Sequence, residues 1–87
     1  MHIYILECYL FKFYIGKTND LETRYKSHKS GQGAEWTKKY PPNKIVKVIE
    51  NADDFDEDKW TKIYMREYGI SNVRGGSYTK IELSTSE

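Results

Sequence analysis

The sequence contains one cysteine, two prolines and no apolar run of the length that a membrane span requires. A lone thiol, Cys8, excludes an intramolecular disulfide, and no Cys/His cluster has the spacing of a structural zinc site. The segment from Met1 to Leu6 is too short for a secretory signal peptide and lacks its basic lead. We therefore expect an intracellular protein without structural zinc, in which Cys8 is a small buried side chain.

The charges balance almost completely, so the net charge of +1 exerts little overall attraction on nucleic acid. Their distribution is uneven, however, because residues 1–49 carry nine Lys/Arg against four acids, whereas residues 50–58 contain six acids. This pattern suits a protein that holds a polyanion and also uses carboxylates to bind a cation. For most of the six acids the simpler interpretation is a helix start, where the helix dipole favours negative charge.

The first part of the chain has the pattern of a β-hairpin. Residues 2–8 and 12–16 are rich in Ile, Tyr and Phe, which predicts two strands joined by a turn at residues 9–11. Apolar side chains occupy both parities of the first strand, so we expect both of its faces to be covered.

Helices and one further strand are predicted in the rest of the chain. A helix over residues 20–29 has Asn19 and Glu22 as its N-terminal capping pair and Gly31 at its C-terminus. A short helix at 34–39, a third strand at 44–50 and a long helix at 54–68 follow. Residues 70–78 form a turn and a short extended piece, and residues 84–87 fray.

Ionisable residues lie on helical faces that otherwise carry apolar ones. Arg24 and His28 fall on the same face of the first helix as Leu21 and Tyr25. On the long helix Glu57 shares its face with four residues, Trp60, Thr61, Tyr64 and Tyr68. Desolvating a carboxylate there is unfavourable unless a cation or hydrogen-bond donors meet it. Arg24 and Glu57 therefore form either part of a site or a structural ion pair.

Two tyrosines add phenol groups to this set. If the hairpin is centred on Tyr9, Tyr4 and Tyr14 stand opposite each other on one sheet face. A lone strand tyrosine nearly always serves packing. Two phenols near an arginine, a histidine and a carboxylate can together hold a metal ion, a water molecule and a phosphate, which indicates phosphoryl chemistry.

A series of motifs extends this interpretation. His2-Ile3-Tyr4 is followed by Tyr14-Ile15-Gly16, and then in order by Lys17, Arg24, His28, Gly31, Glu57 and Asn72. Over residues 2–76 the chain resembles the GIY-YIG nuclease superfamily, and residues 72–78 are similar to members from large DNA viruses and their hosts. It departs from the family at His2, where the family has glycine, which puts local backbone geometry in doubt more than activity.

The resemblance implies a single domain over residues 1–87, with a core at about 2–78. It implies an α/β fold in which helices flank a small three-stranded antiparallel sheet. It also implies a metal-dependent endonuclease that hydrolyses DNA phosphodiester bonds, working in DNA repair or in the processing of viral or mobile-element DNA. Glu57 would be the sole protein ligand of Mg²⁺ or Mn²⁺, and Arg24 would stabilise the transition state.

The remaining roles follow from the same resemblance. Tyr4 or His28 would be the general base, Tyr14 would orient the water or the phosphate, and Gly16 would let the backbone approach the site closely. Asn72 would brace the loop after the long helix. The expected DNA contacts, partly shared with those roles, are Gly16, Lys17, Lys26, Asn72 and Arg74, and further basic residues that could track the DNA backbone are Lys12, Lys29, Lys38 and Lys39.

No helix-turn-helix or zinc finger is visible, so either the domain recognises DNA structure or a separate targeting domain or subunit supplies specificity. Two other functions fit the sequence. One is a non-cleaving DNA-binding module, and the other is a protein-interaction domain that docks a basic partner on the acidic helix start.

Overall fold

The computed structural model describes residues 1–78, and the predicted frayed end at 84–87 lies outside this range. The elements follow the sequence prediction closely along the chain. They are β1 (His2–Cys8), β2 (Lys12–Thr18), α1 (Leu21–Lys29), α2 (Glu35–Lys39), β3 (Pro42–Ile49), α3 (Asp56–Tyr68) and β4 (Val73–Gly75), with 3-10 turns at Tyr9–Phe11 and Ile70–Asn72. Within residues 1–78 no helix is both long enough and apolar enough to span a bilayer.

The sheet has four strands in the order β3-β1-β2-β4, so the prediction of three strands was wrong. β1 pairs antiparallel with β2 and β3, whereas β4 pairs parallel with β2. The strand that was not predicted, β4, is only three residues long and contains Gly75, whose φ is +154°. Glycine suits this position for two reasons: it can adopt that angle, and a Cβ there would lie 2.2 Å from the carbonyl oxygen of Ile15 on β2.

Both faces of β1 are covered, as the apolar residues of both parities predicted. One face carries Ile3 and Ile5 in a cluster with α3, and the other carries Tyr4, Leu6 and Cys8 in a cluster with α1 and α2. Cys8 is 1% exposed, and burial raises the pKa of its thiol to about 12.

The hairpin register differs from the predicted one. Tyr4 pairs with Gly16 and Leu6 with Tyr14, so the turn is centred on Leu10 and not on Tyr9. Tyr4 and Tyr14 therefore lie diagonally on one sheet face, with ring centroids 6.4 Å apart. The cause is the 3-10 turn, in which Leu10 and Phe11 adopt φ values of 60° and 59°.

The helix ends also correct the prediction in part. Asp20, and not Asn19, caps α1, because its carboxylate accepts hydrogen bonds from the backbone N–H and the hydroxyl of Thr23. Gly31 has a φ of +83° after α1, as a C-terminal glycine should. Asp58, one of the acids at the start of α3, accepts hydrogen bonds from the backbone N–H and the hydroxyl of Ser77. It thereby holds the segment after β4 against the helix.

Candidate active site

Helix α1 brings Arg24 and His28 to the two tyrosines on the sheet. Leu21 and Tyr25 pack into the same cluster as Tyr4 and Tyr14, which orients the helix. His28, on that same face, is completely buried. The sequence pattern on α1 thus predicted correctly which helical face would meet the two tyrosines.

A chain of hydrogen bonds begins at Tyr4. Its hydroxyl lies 2.7 Å from Nε2 of His28, and Nδ1 of His28 lies 2.8 Å from Oγ1 of Thr37. Thr37 in turn donates its hydroxyl proton to the carbonyl oxygen of Ala34 at 2.9 Å. Because that proton is committed to Ala34, Oγ1 of Thr37 accepts from Nδ1–H of His28. Nε2 therefore carries a lone pair that accepts the proton of Tyr4.

The electrostatic environment favours the neutral forms of the side chains in this hydrogen-bonded series. Burial and, as the smaller cause, the charge of Arg24 lower the pKa of His28 to about 4. Burial raises the pKa of Tyr4 above its usual value, with Tyr14 adding to the effect, whereas a hydrogen bond and the charge of Arg24 act against it. Burial also raises the pKa of Tyr14, and Arg24 again opposes the shift. The Arg24 guanidinium thus acts on all three rings.

Two glycines make room for these rings. A Cβ on Gly16 would lie 2.2 Å from the Tyr4 hydroxyl, and a Cβ on Gly33 would lie 2.2 Å from Nδ1 of His28. Neither ring can move far, because both are buried. Gly16 was expected to let the backbone approach the site closely, and the group that lies against its backbone is the Tyr4 phenol.

Glu57, in the first turn of α3, is a partly buried carboxylate. Burial raises its pKa, the neighbouring acids Asp58 and Asp54 raise it further, and the charge and backbone N–H of Lys17 lower it. The ion pairs within residues 1–78 do not include one between Glu57 and Arg24, which argues against a structural pair.

The donor set around Glu57 fits a magnesium-like ion. Among residues 1–78 there is no group of three or more His, Cys, Asp or Glu side chains that could hold a metal. One desolvated carboxylate, completed by water and phosphate oxygens, suits Mg²⁺, which gives up its water ligands reluctantly. A cation at Glu57 would also relieve the unfavourable desolvation of its charge.

The other predicted site residues are more dispersed. Lys17 is exposed and lies 3.4 Å from Asp54, and Lys26 pairs with Glu22 on the surface of α1. Asn72 accepts a hydrogen bond from Lys12 and donates one to the carbonyl oxygen of Tyr68 in the last turn of α3. Asn72 thus lies with Lys12 and not with the Tyr4–His28 cluster.

Arg74 is only 3% exposed. Its guanidinium lies 4.6 Å from the centroid of the Trp36 ring and donates hydrogen bonds to the carbonyl oxygens of Ile70 and Val73. Such burial favours a structural role over contact with a phosphate. Trp36 is buried as well, and its indole N–H donates to the carbonyl oxygen of Phe13.

Sequence reasoning missed Thr37 and Gly33. A threonine inside a short helix and a glycine before it are common, and neither belongs to the motif series. The only available signal was position, because both lie just downstream of His28, where the chain turns back over the end of α1.

Comparison with known proteins places the chain in a family. A UPF0213 protein of Clostridium perfringens (strain 13) is 35% identical over 86 residues, which cover 99% of this chain and 84% of that protein. The UPF0213 protein YsiG of Lactococcus lactis is 39% identical over 59 residues, covering 66% and 57% of the two chains. A UPF0213 protein of Xanthomonas campestris is 42% identical over 45 residues, covering 52% of this chain.

The chain spans only 44% of the length of that Xanthomonas relative. No solved structure matches this chain significantly. The family model described as the GIY-YIG catalytic domain matches residues 1–78, which include the tyrosines, Arg24, His28 and Glu57. By this match and by its similarity to the Clostridium protein, the chain belongs to the GIY-YIG family.

Proposed function

We propose that the chain is a metal-dependent endonuclease that hydrolyses DNA phosphodiester bonds. The observation that carries this proposal is the hydrogen-bonded series Tyr4–His28–Thr37, together with the effects of Arg24 and Glu57 on its phenol. An arginine and a partly buried carboxylate close enough to a proton acceptor to shift its pKa provide what hydrolysis of a phosphodiester needs. The arginine meets the phosphate, the carboxylate holds a cation, and the acceptor activates water.

The geometry supports a shared role for the two candidate general bases. Tyr4 takes a proton from the attacking water while its own hydroxyl proton passes to Nε2 of His28. The water oxygen bonds to phosphorus, the bond to the 3′ oxygen breaks with its electron pair on that oxygen, and the resulting alkoxide takes a proton from solvent water to give the 3′-hydroxyl. His28 ends as an imidazolium. This transfer avoids a free phenolate, which burial disfavours at Tyr4.

The charge that develops on the phosphate assists this transfer. In the free protein the His28 pKa of about 4 keeps the ring neutral at pH 7 and ready to accept a proton. An additional negative charge on the reacting phosphate favours the imidazolium and so raises the pKa of His28 during the reaction. Arg24, with its planar set of donors, stabilises the same charge. Mg²⁺ bound at Glu57 would supply charge stabilisation at the phosphate and at the leaving 3′ oxygen.

A nicking assay tests the proposal directly. The chain, incubated with supercoiled plasmid, should convert it to the relaxed form in Mg²⁺ or Mn²⁺ and should leave it intact in excess chelator. The products should carry 5′-phosphate and 3′-hydroxyl ends, because the bond to the 3′ oxygen breaks. Binding without cleavage under all metal conditions would instead favour a non-cleaving nucleic-acid-binding module.

Thr37 is expected to set the tautomer of His28. In Thr37→Val the buried Nδ1–H loses its acceptor, so the tautomer protonated at Nε2 becomes relatively more stable and can no longer accept from Tyr4. We expect nicking to slow by about 100-fold, which is the lower end of the usual contribution of a general base. The ¹⁵N shifts of the His28 ring should report the change of tautomer.

Thr37→Ser is the matched control, because it keeps the hydroxyl and should restore both the tautomer and most of the rate. DNA affinity should be the same in all three proteins, since Thr37 is only 1% exposed. A Thr37→Val protein with unchanged ring shifts and an unchanged rate would show that Thr37 does not position His28.

A further inference from the structure

The turn between β1 and β2 exposes three consecutive large apolar side chains. Tyr9, Leu10 and Phe11 are 59%, 73% and 82% exposed. We call them the hairpin tip. They lie in a 3-10 turn that is held to the α2–β3 connection by a hydrogen bond from the backbone N–H of Tyr9 to the carbonyl oxygen of Pro41. The tip is thus anchored at its base while its side chains face solvent.

The backbone of the tip is unfavourable for the residues that occupy it. Leu10 and Phe11 both have left-handed φ angles, which glycine and asparagine adopt far more readily than leucine or phenylalanine. Their exposure means that packing within the chain does not account for them. Exposed apolar residues in a strained turn are the kind of feature that serves binding.

Two lysines lie at the base of the tip, around the ring of Tyr40. The ammonium groups of Lys12 and Lys39 lie 5.3 Å and 5.6 Å from the centroid of the Tyr40 ring. Lys12 donates to the amide oxygen of Asn72, which is neutral and leaves the charge uncompensated. Glu35 and Glu7 have lysine partners of their own, in the pairs Lys38–Glu35 and Lys44–Glu7.

The base of the tip and the candidate active site share one face of the sheet. Tyr40 packs in the same cluster as Tyr4 and Tyr14. Tyr4 lies four residues before the end of β1 at Cys8, which corresponds to roughly 13 Å at about 3.3 Å per residue, and the tip begins at the next residue. Since base pairs in DNA are about 3.4 Å apart, the tip begins several base-pair steps away from Tyr4.

We infer that the hairpin tip binds unstacked bases of a nucleic acid, several nucleotides from the phosphate held at Arg24. Apolar side chains wedge into disrupted base steps, aromatic rings stack on bases, and lysines hold the adjoining backbone. The inference rests on the proposed nuclease function and deepens it by naming a substrate class, DNA with a gap, bulge or branch. An anionic membrane could attract the same side chains, but the shared face with the site favours nucleic acid.

The test measures binding without cleavage. A Glu57→Gln protein, free of divalent metal, is titrated into a fluorescein-labelled duplex and into the same duplex with a one-nucleotide gap flanked by 2-aminopurine. We expect about tenfold tighter binding of the gapped DNA and a change in 2-aminopurine fluorescence, as stacking on one base would give. Adding Leu10→Asn and Phe11→Asn should abolish the preference and leave affinity for intact duplex within about twofold.

Asparagine is chosen because it tolerates left-handed φ, so the double variant should keep its fold, which a thermal melt verifies. The matched control is Ile70→Asn, since Ile70 is 59% exposed, as is Tyr9, but belongs to the turn after α3 and not to the hairpin. This control should retain the preference for gapped DNA.

Several outcomes overturn the inference. One is an equal affinity of the starting protein for gapped and intact DNA, and another is an unchanged preference in the Leu10/Phe11 variant. A tip-dependent binding to phosphatidylglycerol vesicles without any effect on DNA would assign the tip to membranes. Failure of the wild-type chain to nick DNA in Mg²⁺ would contradict the nuclease proposal alone, because the binding assay uses no metal and no cleavage.

Discussion

Glu57→Gln should abolish DNA nicking without unfolding the protein. Glutamine has nearly the same shape as glutamate but carries no charge, so it cannot hold a divalent cation in place. Loss of the metal's stabilisation of the transition state, worth several kcal/mol, corresponds to a rate decrease of about a thousandfold or more. Nicking rates in Mg²⁺ and Mn²⁺ measure the loss, and calorimetric titration of Mn²⁺ should show that binding disappears with it.

The same variant should be at least as stable as the wild type at neutral pH. Burial raises the pKa of Glu57, so the folded state binds its proton more tightly than the unfolded state does. The wild type therefore loses unfolding free energy as the pH rises from the ordinary carboxyl pKa through the raised one. Glutamine removes this dependence. Urea unfolding of both proteins between pH 4 and 8 should show a difference in favour of Glu57→Gln that grows with pH.

Glu50→Gln provides the matched control. Glu50 is an exposed acid in the same acidic stretch, and its replacement removes the same charge from the chain. It should change neither nicking nor Mn²⁺ binding appreciably. Equal losses in both variants would mean that the overall charge of the acidic stretch matters and would contradict the assignment of Glu57 as the metal ligand.

The helical faces of the candidate site could be predicted because they depend on local periodicity. Leu21, Tyr25 and His28 are one helical turn apart, so the apolar pair indicates where the histidine points. The same reasoning placed Glu57 beside Thr61, which is completely buried. These predictions needed only the spacing of residues along one element.

The features that could not be predicted depend on geometry across elements. The predicted register of β1 and β2 was wrong, because the turn is centred on Leu10 and not on Tyr9. This turn requires left-handed angles at Leu10 and Phe11, which sequence preferences disfavour at these residue types. β4 pairs with β2 across more than fifty residues of chain, and three residues carry little pattern. The contact between Thr37 and His28 depends on how α2 packs against α1, and the spacing of residues along one element does not indicate such packing.

Arg24→Ala should be the second most damaging substitution. Removing one preorganised donor from a developing negative charge usually slows a reaction by about 10²- to 10³-fold. Arg24→Lys should recover only part of the rate, because lysine keeps the charge but not the planar pair of donors. Arg66→Ala, which removes an exposed arginine from α3, should nick DNA at the wild-type rate and controls for the loss of one positive charge.

The Arg24 prediction also has a readout that is independent of cleavage. The charge of Arg24 lowers the pKa of His28, so its removal should raise that pKa above about 4, and the removal of Arg66 should not. Proton NMR titration of the His28 ring, with His2→Gln to identify the resonance, measures the shift. Loss of nicking with an unchanged His28 pKa would place the guanidinium away from the Tyr4–His28 pair. A raised pKa with full nicking would leave Arg24 beside the pair but without a role in catalysis. Only the combination of a slower reaction and a raised pKa agrees with an arginine that faces both the phosphate and the proton acceptor.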